Sequence, residues 1–238
     1  MRILHHFVSE TEACSYLPDQ AMRTECLLVG SLTAREYQAL MNQRWRRFGR
    51  LLFRPVCEAC RECRPLRVDV ERFRPNRSQR RAWRANVESI TLTIAEPRCD
   101  AARLDLHDRY HRFQAAFKGW PLPRHDPQTA YEAMFVDNPL RTWEYAYSLE
   151  GKLIGIGYVD EVPDGLSAIY FFYDPEHRRR SLGTYNVLSI IAEAARRKMP
   201  YVYLGYYVPG CRSLAYKADF RPNQILEPDL GWREFRTT

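Results

Sequence analysis

The chain has 238 residues and a formal net charge of +7, with 45% hydrophobic and 13% aromatic residues. This composition excludes a mainly disordered protein, and no apolar run approaches the roughly 18 residues of a membrane-spanning helix. Met1–Glu12 lacks the apolar stretch of a secretion signal. We therefore expect a cytoplasmic, globular protein of one or two domains that contacts no membrane.

Positive charge is concentrated near the start of the chain. Residues 1–100 contain 18 Arg, no Lys and 12 acidic residues, and Arg44–Arg84 alone holds 14 Arg against four acidic residues. Such a block is typical of a surface that binds a polyanion, with nucleic acid as the first candidate. Because the excess ends near residue 100, we predict two domains: residues 1–100, rich in Arg and Cys, and residues 101–238.

The first half is predicted to contain both helices and strands. A helix is predicted over Thr33–Phe48, because Thr33 and Glu36 form a capping-box pattern and apolar residues follow at helical spacing. The further elements in chain order are strand Leu66–Val70, helix Ser78–Val87, strand Ile90–Ala95, helix Ala101–Phe117, a loop at Pro121–Pro127 and helix Thr129–Val136.

The second half is predicted to be rich in strands, because short apolar runs alternate with turns that contain Gly or Pro. The predicted elements are strands Trp143–Leu149, Lys152–Val162, Leu166–Tyr173 and Tyr201–Gly205, a basic loop at Arg178–Gly183 leading into a helix that ends at Lys198, and a short helix at Cys211–Ala218. The whole chain is therefore predicted to be an α+β protein with mixed sheets flanked by helices.

Three cysteines follow one another at a spacing used by metal sites. Cys57, Cys60 and Cys63 are each separated by two residues, and Cys14 is available as a fourth ligand from upstream. Zinc and iron–sulfur clusters both favour four such ligands. The alternative is a buried turn with reduced thiols, since seven cysteines without a secretion signal do not indicate a disulfide framework.

The strand–loop–helix segment after Leu166 has the features of an anion site. A basic loop with Arg178, Ser181 and Gly183 opens a helix, whose free N–H groups and dipole favour a negative ligand. The segment resembles the acyl-CoA loop of GCN5-related N-acetyltransferases. Ser181 replaces the first glycine of that pattern, so the resemblance supports the fold more than coenzyme A as donor. The alternative is a solvated loop.

A second group of basic and aromatic residues follows the last predicted strand. It consists of Arg212, Tyr216, Lys217 and Arg221 within a short reach of chain. These side chains suit a carboxylate, a phosphate or the end of an RNA strand. On composition alone, a surface helix with scattered basic residues explains them equally well.

Several motifs, taken together and in order, resemble one family. They are Cys14-Ser-Tyr16-Leu-Pro18, Gln43–Arg50, Phe53-Arg54-Pro55, Cys60–Arg67, Ser78–Arg81, Phe172–Pro175, Arg180–Tyr185, Tyr203–Tyr206 and Tyr216–Pro222. The chain resembles the aminoacyl-tRNA–protein transferases of the N-degron pathway, and within them the bacterial leucyltransferases that act on N-terminal Asp and Glu. The resemblance covers roughly Cys14–Leu226.

The resemblance implies transfer of leucine from leucyl-tRNA to the α-amine of proteins that begin with Asp or Glu, which marks them for degradation. It also implies a fold of two acetyltransferase-like units. Eukaryotic relatives bind a metal or cluster through a Cys-x-x-Cys pair, where this chain has Cys14 and Leu17. A cluster here therefore needs Cys57 as the replacement ligand.

The implied reaction is aminolysis of an activated ester, which requires no cofactor. An α-amine has a pKa near 8, so about a tenth is neutral at pH 7, and positioning can supply much of the rate. The candidate catalytic residues are Asp174 as base, at the end of a strand, and Tyr173 as a hydroxyl near the ester. The alternative for Asp174-Pro175 is a simple turn.

The substrates need separate binding groups. Arg178, Ser181 and Gly183 are predicted to receive the 3′ end of tRNA, with part of Arg44–Arg84 holding its backbone. Arg212, Lys217 and Arg221, beside Tyr216, are predicted to bind the acidic acceptor side chain, because an Arg fork holds a carboxylate by two hydrogen bonds.

Two other functions are compatible with parts of the sequence. Fold analogy alone favours an acetyl-CoA-dependent N-acetyltransferase, which Ser181 and the N-terminal module disfavour. The Arg block and Cys57–Cys63 favour a non-enzymatic RNA-binding protein with a Cys-rich knuckle.

Overall fold

A computed structural model describes residues 1–118 and 126–235, so most of the predicted loop Pro121–Pro127 lies outside the described residues. The chain forms two main sheets, of four and eight strands, and a two-stranded ribbon, with helices packed against them. The predicted α+β class with mixed sheets is confirmed. No helix in the described part of the chain is long and apolar enough to cross a membrane.

The first 55 residues build the smaller sheet and the ribbon. Their elements are strands β1 (Arg2–Val8), β2 (Glu12–Ala13), β3 (Ala21–Met22), β4 (Thr24–Ser31), β5 (Arg46–Phe48) and β6 (Leu51–Pro55), with helix α1 (Ala34–Met41) after β4. The smaller sheet has the order β1-β4-β6-β5 and is antiparallel, and β2 pairs with β3 in the ribbon.

The helix predicted over Thr33–Phe48 begins as expected but is too long. Thr33 caps α1, and Glu36 completes the capping box by accepting from the Thr33 N–H at 2.8 Å. The helix ends at Met41, and Arg44 takes a positive φ of 73° that redirects the chain. Arg46–Phe48 then pairs with β6 as strand β5, so the C-terminal part of the prediction is wrong.

The eight-stranded sheet takes strands from both sides of residue 100. They are β7 (Arg64–Asp69), β8 (Ile90–Ala95), β9 (Thr142–Leu149), β10 (Lys152–Val162), β11 (Gly165–Tyr173), β12 (Tyr201–Tyr207), β13 (Asn223–Glu227) and β14 (Gly231–Glu234). Their order is β14-β13-β7-β12-β11-β10-β9-β8, and all neighbours are antiparallel except β11 and β12. The division between the sheets therefore does not coincide with residue 100.

Helices pack against the large sheet. They are α2 (Arg77–Arg84), α3 (Ala101–Lys118), α4 (Pro127–Tyr131) with a π-helical turn at Glu132–Val136, a 3-10 helix at Pro175–Arg180, α5 (Leu182–Arg196), and α6 (Arg212–Ala215) with a 3-10 turn at Tyr216–Asp219. The apolar face of α5 contributes Leu182, Val187 and Ile190 to the main core, whereas α3 packs Leu106 and Tyr110 into a separate aromatic cluster.

That aromatic cluster holds a histidine in its neutral form. His107 lies against Phe172 and Tyr131, with ring centroids 5.2 and 5.4 Å away, and against His111 at 4.1 Å. Burial, and next the charge of His111, lower the pKa of His107 from 6.5 to about 4. Its Nε2 has no hydrogen-bond partner among the described residues.

We expect the free energy of unfolding to fall by about 2 kcal/mol between pH 7.5 and pH 5 through His107 alone. The unfolded chain binds a proton below pH 6.5 that the folded chain does not bind until about pH 4, so stability decreases as the pH falls through this window. Urea denaturation of the natural chain and of His107→Phe at both pH values measures the effect. An equal pH dependence in the two proteins would contradict it.

Candidate active site

The central feature of the large sheet is a gap between its two parallel strands. Strands β11 and β12 pair only over Gly165–Ser167 and Tyr201–Tyr203, and then separate. Gly205 has a φ of +75° at an irregularity in β12 between Tyr203 and Tyr206. A cavity of about 580 Å³ lies at this gap, lined by both strands and by the start of α5.

One wall of the cavity is an uncapped helix N-terminus. Ser181 precedes α5 in a left-handed conformation, with φ 57° and ψ 43°, and no side chain caps the helix. A Cβ added at Gly183 would meet nothing within 4 Å, so ligands can approach the backbone there. Arg178, Ser181 and Gly183 all line the cavity, as the sequence predicts for an anion site.

The lining also includes a lysine with a lowered pKa. The Nζ of Lys217 donates to the backbone carbonyl of Tyr206 at 2.8 Å, and lies 3.7 Å from where a Cβ would stand on Gly205. Burial, and next the positive charge of Arg46, lower the pKa of Lys217 to about 7. Lys217 and Tyr216 both line the cavity, so the structure places these two predicted binding residues together.

Arg46 is a cavity residue that the sequence did not single out for the site. It lies in β5 of the smaller sheet and is 6% exposed, yet it lines the cavity. Its guanidinium carbon stands 5.5 Å from the ring centre of Tyr206. In the sequence, Arg46 is one of many arginines in a basic block. Its position in the cavity depends on the pairing of β5 with β6.

Aromatic residues form much of the remaining lining. Tyr173 lines the cavity, and its ring stacks 5.8 Å from Phe171 and lies 5.4 Å from Tyr110. Burial raises the pKa of Tyr173, although the charge of Arg178 opposes this. The phenol therefore stays protonated near neutral pH and is available as a hydrogen-bond donor, as predicted for a hydroxyl near the ester. Tyr16, from the N-terminal segment, also lines the cavity.

Asp174 lies one residue beyond Tyr173 but outside the lining formed by the described residues. Its Oδ2 is 2.7 Å from Arg109 and 3.7 Å from Lys152, and its Oδ1 accepts from the Glu176 N–H at 3.1 Å. Burial would raise the pKa of Asp174, but these partners together lower it. The carboxylate caps the 3-10 helix that carries Arg178, which is a positioning role.

Asp174→Asn separates this positioning role from the predicted role as a base. We expect the free energy of unfolding to fall by about 1–3 kcal/mol, because Arg109 loses one of its two carboxylate partners, and kcat to fall less than about tenfold. Urea denaturation and transfer rates at saturating substrate measure the two effects. A fall in kcat of about a hundredfold or more in a folded variant would establish Asp174 as the base.

Two predicted substrate-binding arginines lie apart from this group. Arg212 and Arg221 are exposed and do not belong to the described lining of the cavity. Arg221 donates to the Ala218 carbonyl at 3.2 Å and has a further partner. Of the three cations predicted for the acidic side chain, the structure therefore brings only Lys217 into the cavity.

The predicted metal ligands lie near one another, on the Tyr16 side of the cavity. Burial raises the pKa of the Cys63 thiol to about 12, and the neighbouring Cys14, Cys57 and Cys60 add to this rise. All seven cysteines, each within the described residues, are free. Over residues 1–118 and 126–235, no three Cys, His, Asp or Glu side chains are positioned to bind a metal ion. The four thiols therefore lie near one another, but their arrangement does not form a metal-binding site.

Comparison with protein families identifies the chain. The family model for the N terminus of arginine-tRNA-protein transferases matches residues 12–81, and the model for the C terminus matches residues 103–227. The chain belongs to this family. The cavity is formed jointly by residues within the two matched regions, since Arg46 comes from the first and Lys217 from the second.

Curated relatives in the arginine-tRNA-protein transferase family match over nearly the whole chain. The aspartate/glutamate leucyltransferase of Campylobacter jejuni (strain 81-176) is 36% identical over 223 residues, which cover 93% of this chain and 92% of the relative. The aspartate/glutamate leucyltransferase of Pseudomonas putida (strain W619) is 36% identical over 224 residues, which cover 94% of each chain.

Solved structures show more distant likenesses. A DUF2156 domain from Agrobacterium fabrum is 14% identical with a TM-score of 0.48, covering 67% of this chain and 56% of that one. L-PGS from Bacillus licheniformis is 14% identical with a TM-score of 0.43, covering 73% and 50%.

Proposed function

We propose that this family member transfers leucine from leucyl-tRNA to the α-amine of proteins that begin with Asp or Glu, in the cytoplasm, and so marks them for degradation. The observation that carries the proposal is the 36% identity to aspartate/glutamate leucyltransferases over 93% of the chain. The cavity supports it, because its lining includes an uncapped helix terminus suited to an anion and the basic side chains of Arg46 and Lys217.

The chemistry needs positioning more than a strong base. The amine nitrogen forms a bond to the ester carbonyl carbon, the bond from that carbon to the ribose oxygen breaks, and a proton passes from nitrogen to that oxygen. Beyond Ser167 and Tyr203, the main-chain groups of β11 and β12 are no longer used by pairing between these strands. The main-chain N–H groups of these segments that face the gap, the N–H groups that begin α5 and the Tyr173 hydroxyl are available to orient the ester and stabilise the oxyanion.

The surface of α2 suits the tRNA backbone. Its arginines Arg77, Arg80, Arg81 and Arg84 are exposed, and no acidic residue lies within the helix. The end of α2 contacts the basic 3-10 helix, because Arg180 donates to the Ala85 carbonyl at 3.1 Å. A basic surface therefore runs from α2 to Arg178 at the cavity. This surface supports the prediction that part of Arg44–Arg84 binds the tRNA backbone. Many arginines elsewhere in the block are instead paired within the protein, as Arg47 is with Asp160.

Zinc or an iron–sulfur cluster remains proposed for Cys14, Cys57, Cys60 and Cys63, and no step above is routed through a metal. Elemental analysis of the purified protein tests this ligand set. Metal bound in a fixed ratio and lost in Cys63→Ala supports it, whereas a folded protein free of metal would exclude it.

Purified protein with labelled aminoacyl-tRNA and short peptides tests the transfer. Leucyl-tRNA and arginyl-tRNA are each offered with peptides that begin with Asp, Glu or Ala. Leucine entering only the Asp and Glu peptides supports the proposal. Arginine entering them instead would move the donor to arginyl-tRNA, while tRNA binding without any transfer would favour a non-enzymatic RNA-binding protein. Incorporation from acetyl-CoA would support an N-acetyltransferase.

A further inference from the structure

The guanidinium of Arg46 is only half satisfied. Its Nη1 donates to the backbone carbonyls of Trp45 at 2.5 Å and Met41 at 3.4 Å. Its Nε and Nη2 have no hydrogen-bond partner in the part of the chain that the structure describes, and both atoms are buried. These two nitrogens share one edge of the planar group, and such an edge holds a carboxylate through two parallel hydrogen bonds.

The charge of Arg46 is also uncompensated. Within residues 1–118 and 126–235, neither Arg46 nor Lys217 forms an ion pair, although the charge of Arg46 reaches Lys217 strongly enough to lower its pKa. Arg47, the next residue, is by contrast fully paired with Asp160. A buried cation without a partner is costly to the fold, and a ligand that brings a negative charge would relieve that cost.

We propose that Arg46 and Lys217 together form the subsite for the carboxylate of the acceptor's first residue, and that Arg46 sets the preference for Asp and Glu over their amides. This inference rests on the proposed function and extends it, because it assigns the specificity to a residue of the smaller sheet. An uncharged amide offers the subsite no negative charge and leaves both cations unpaired, so the subsite rejects it.

The burial of the subsite favours a side-chain carboxylate over an RNA phosphate. The free edge of Arg46 is buried, which disfavours a bulky group there. A phosphodiester carries a nucleoside on both sides, and the exposed Arg178 and Ser181, which also line the cavity, offer it a more open site.

Variants at Arg46 test the inference through a ratio of two acceptors. The measurement is kcat/KM for a peptide beginning with Asp divided by that for the matched peptide beginning with Asn. We expect Arg46→Met to lower this ratio by about 30-fold or more, and Arg46→Lys, which keeps the charge but not the fork, to lower it less. Arg35→Met removes the same charge from an exposed position on α1 and is expected to leave the ratio unchanged.

Stability and tRNA kinetics separate this role from a structural one. We expect the Tm of Arg46→Met to stay the same or rise, because an unpaired buried charge is removed, and the KM for leucyl-tRNA to stay the same. An unchanged Asp/Asn ratio in Arg46→Met overturns the inference. A raised KM for leucyl-tRNA with an unchanged ratio assigns Arg46 to an RNA phosphate instead. If Arg46→Met does not fold, Arg46→Lys decides by the same ratio.

Peptide binding without tRNA distinguishes failure of this inference from failure of the proposed function. Calorimetry with the full chain is expected to show tighter binding of the Asp peptide than the Asn peptide, and the difference is expected to shrink in Arg46→Lys. Equal binding of both peptides to the natural chain overturns the subsite, even if leucine is transferred. Preferential binding that depends on Arg46, without leucine transfer, supports the subsite and rejects the proposed reaction.

Discussion

Arg47→Met is expected to lower the free energy of unfolding by about 3–5 kcal/mol, the largest loss of stability for any single change considered. The guanidinium is fully buried and pairs with the buried carboxylate of Asp160, to which its Nε donates at 2.7 Å. It also donates to Thr142 at 2.7 Å and Asn138 at 2.9 Å. Removing it leaves the carboxyl of Asp160 without its cation in the interior, where burial already raises its pKa.

This ion pair joins the two sheets, because Arg47 belongs to β5 and Asp160 to β10. Urea denaturation measures the effect, with Asp160→Asn as the matching change on the partner. The double variant is expected to lose less than the sum of the two single losses, because both remove the same interaction. A loss below about 1 kcal/mol in Arg47→Met would contradict the assignment, since that range is typical of exposed ion pairs.

Lys217→Met is expected to lower kcat/KM for peptides beginning with Asp by about 30- to 1000-fold, the largest effect expected on activity. The Nζ lines the cavity beside Tyr206 and faces the acceptor side chain in the proposed arrangement. The loss for an Asn peptide is expected to be far smaller, because an amide gains little from a cation. Steady-state transfer with the two peptides measures both effects.

Arg212→Met is the contrasting change, because the sequence predicts the same role for Arg212 and Lys217. The exposed side chain of Arg212 lies outside the described lining of the cavity. We therefore expect its removal to change the Asp/Asn ratio by less than about threefold, as for a solvated surface charge. Equal losses in both variants would show that the acidic side chain binds outside the cavity.

The sequence predicts elements best where local chemistry decides them. Thr33 and Glu36 form a capping box, which fixes the start of α1. The spacing of Trp45 and Phe48 continues the helical pattern beyond its true end, since both pack inside the fold after the helix has ended. The turn at Arg44, with its φ of 73°, depends on the pairing of β5 with β6, and no local signal reports that pairing.

The same distinction applies to the candidate site. The position of Arg178, Ser181 and Gly183 at the start of a helix was predictable, because a basic loop before a helical pattern is a local signal. Arg46 was not predictable, because its place in the cavity arises from a strand that pairs within the other sheet. Asp174 has the local setting of a catalytic group, but Arg109, from α3, engages its carboxylate.

The position of the transferred residue tests the central claim most directly. The protein, leucyl-tRNA and a peptide beginning with Asp are incubated, and the product is sequenced by tandem mass spectrometry beside a peptide whose α-amine is acetylated. The account predicts one leucine joined to the α-amine of Asp, and no product from the acetylated peptide. Transfer of leucine to the acetylated peptide, or equal transfer to a peptide beginning with Asn, would contradict it.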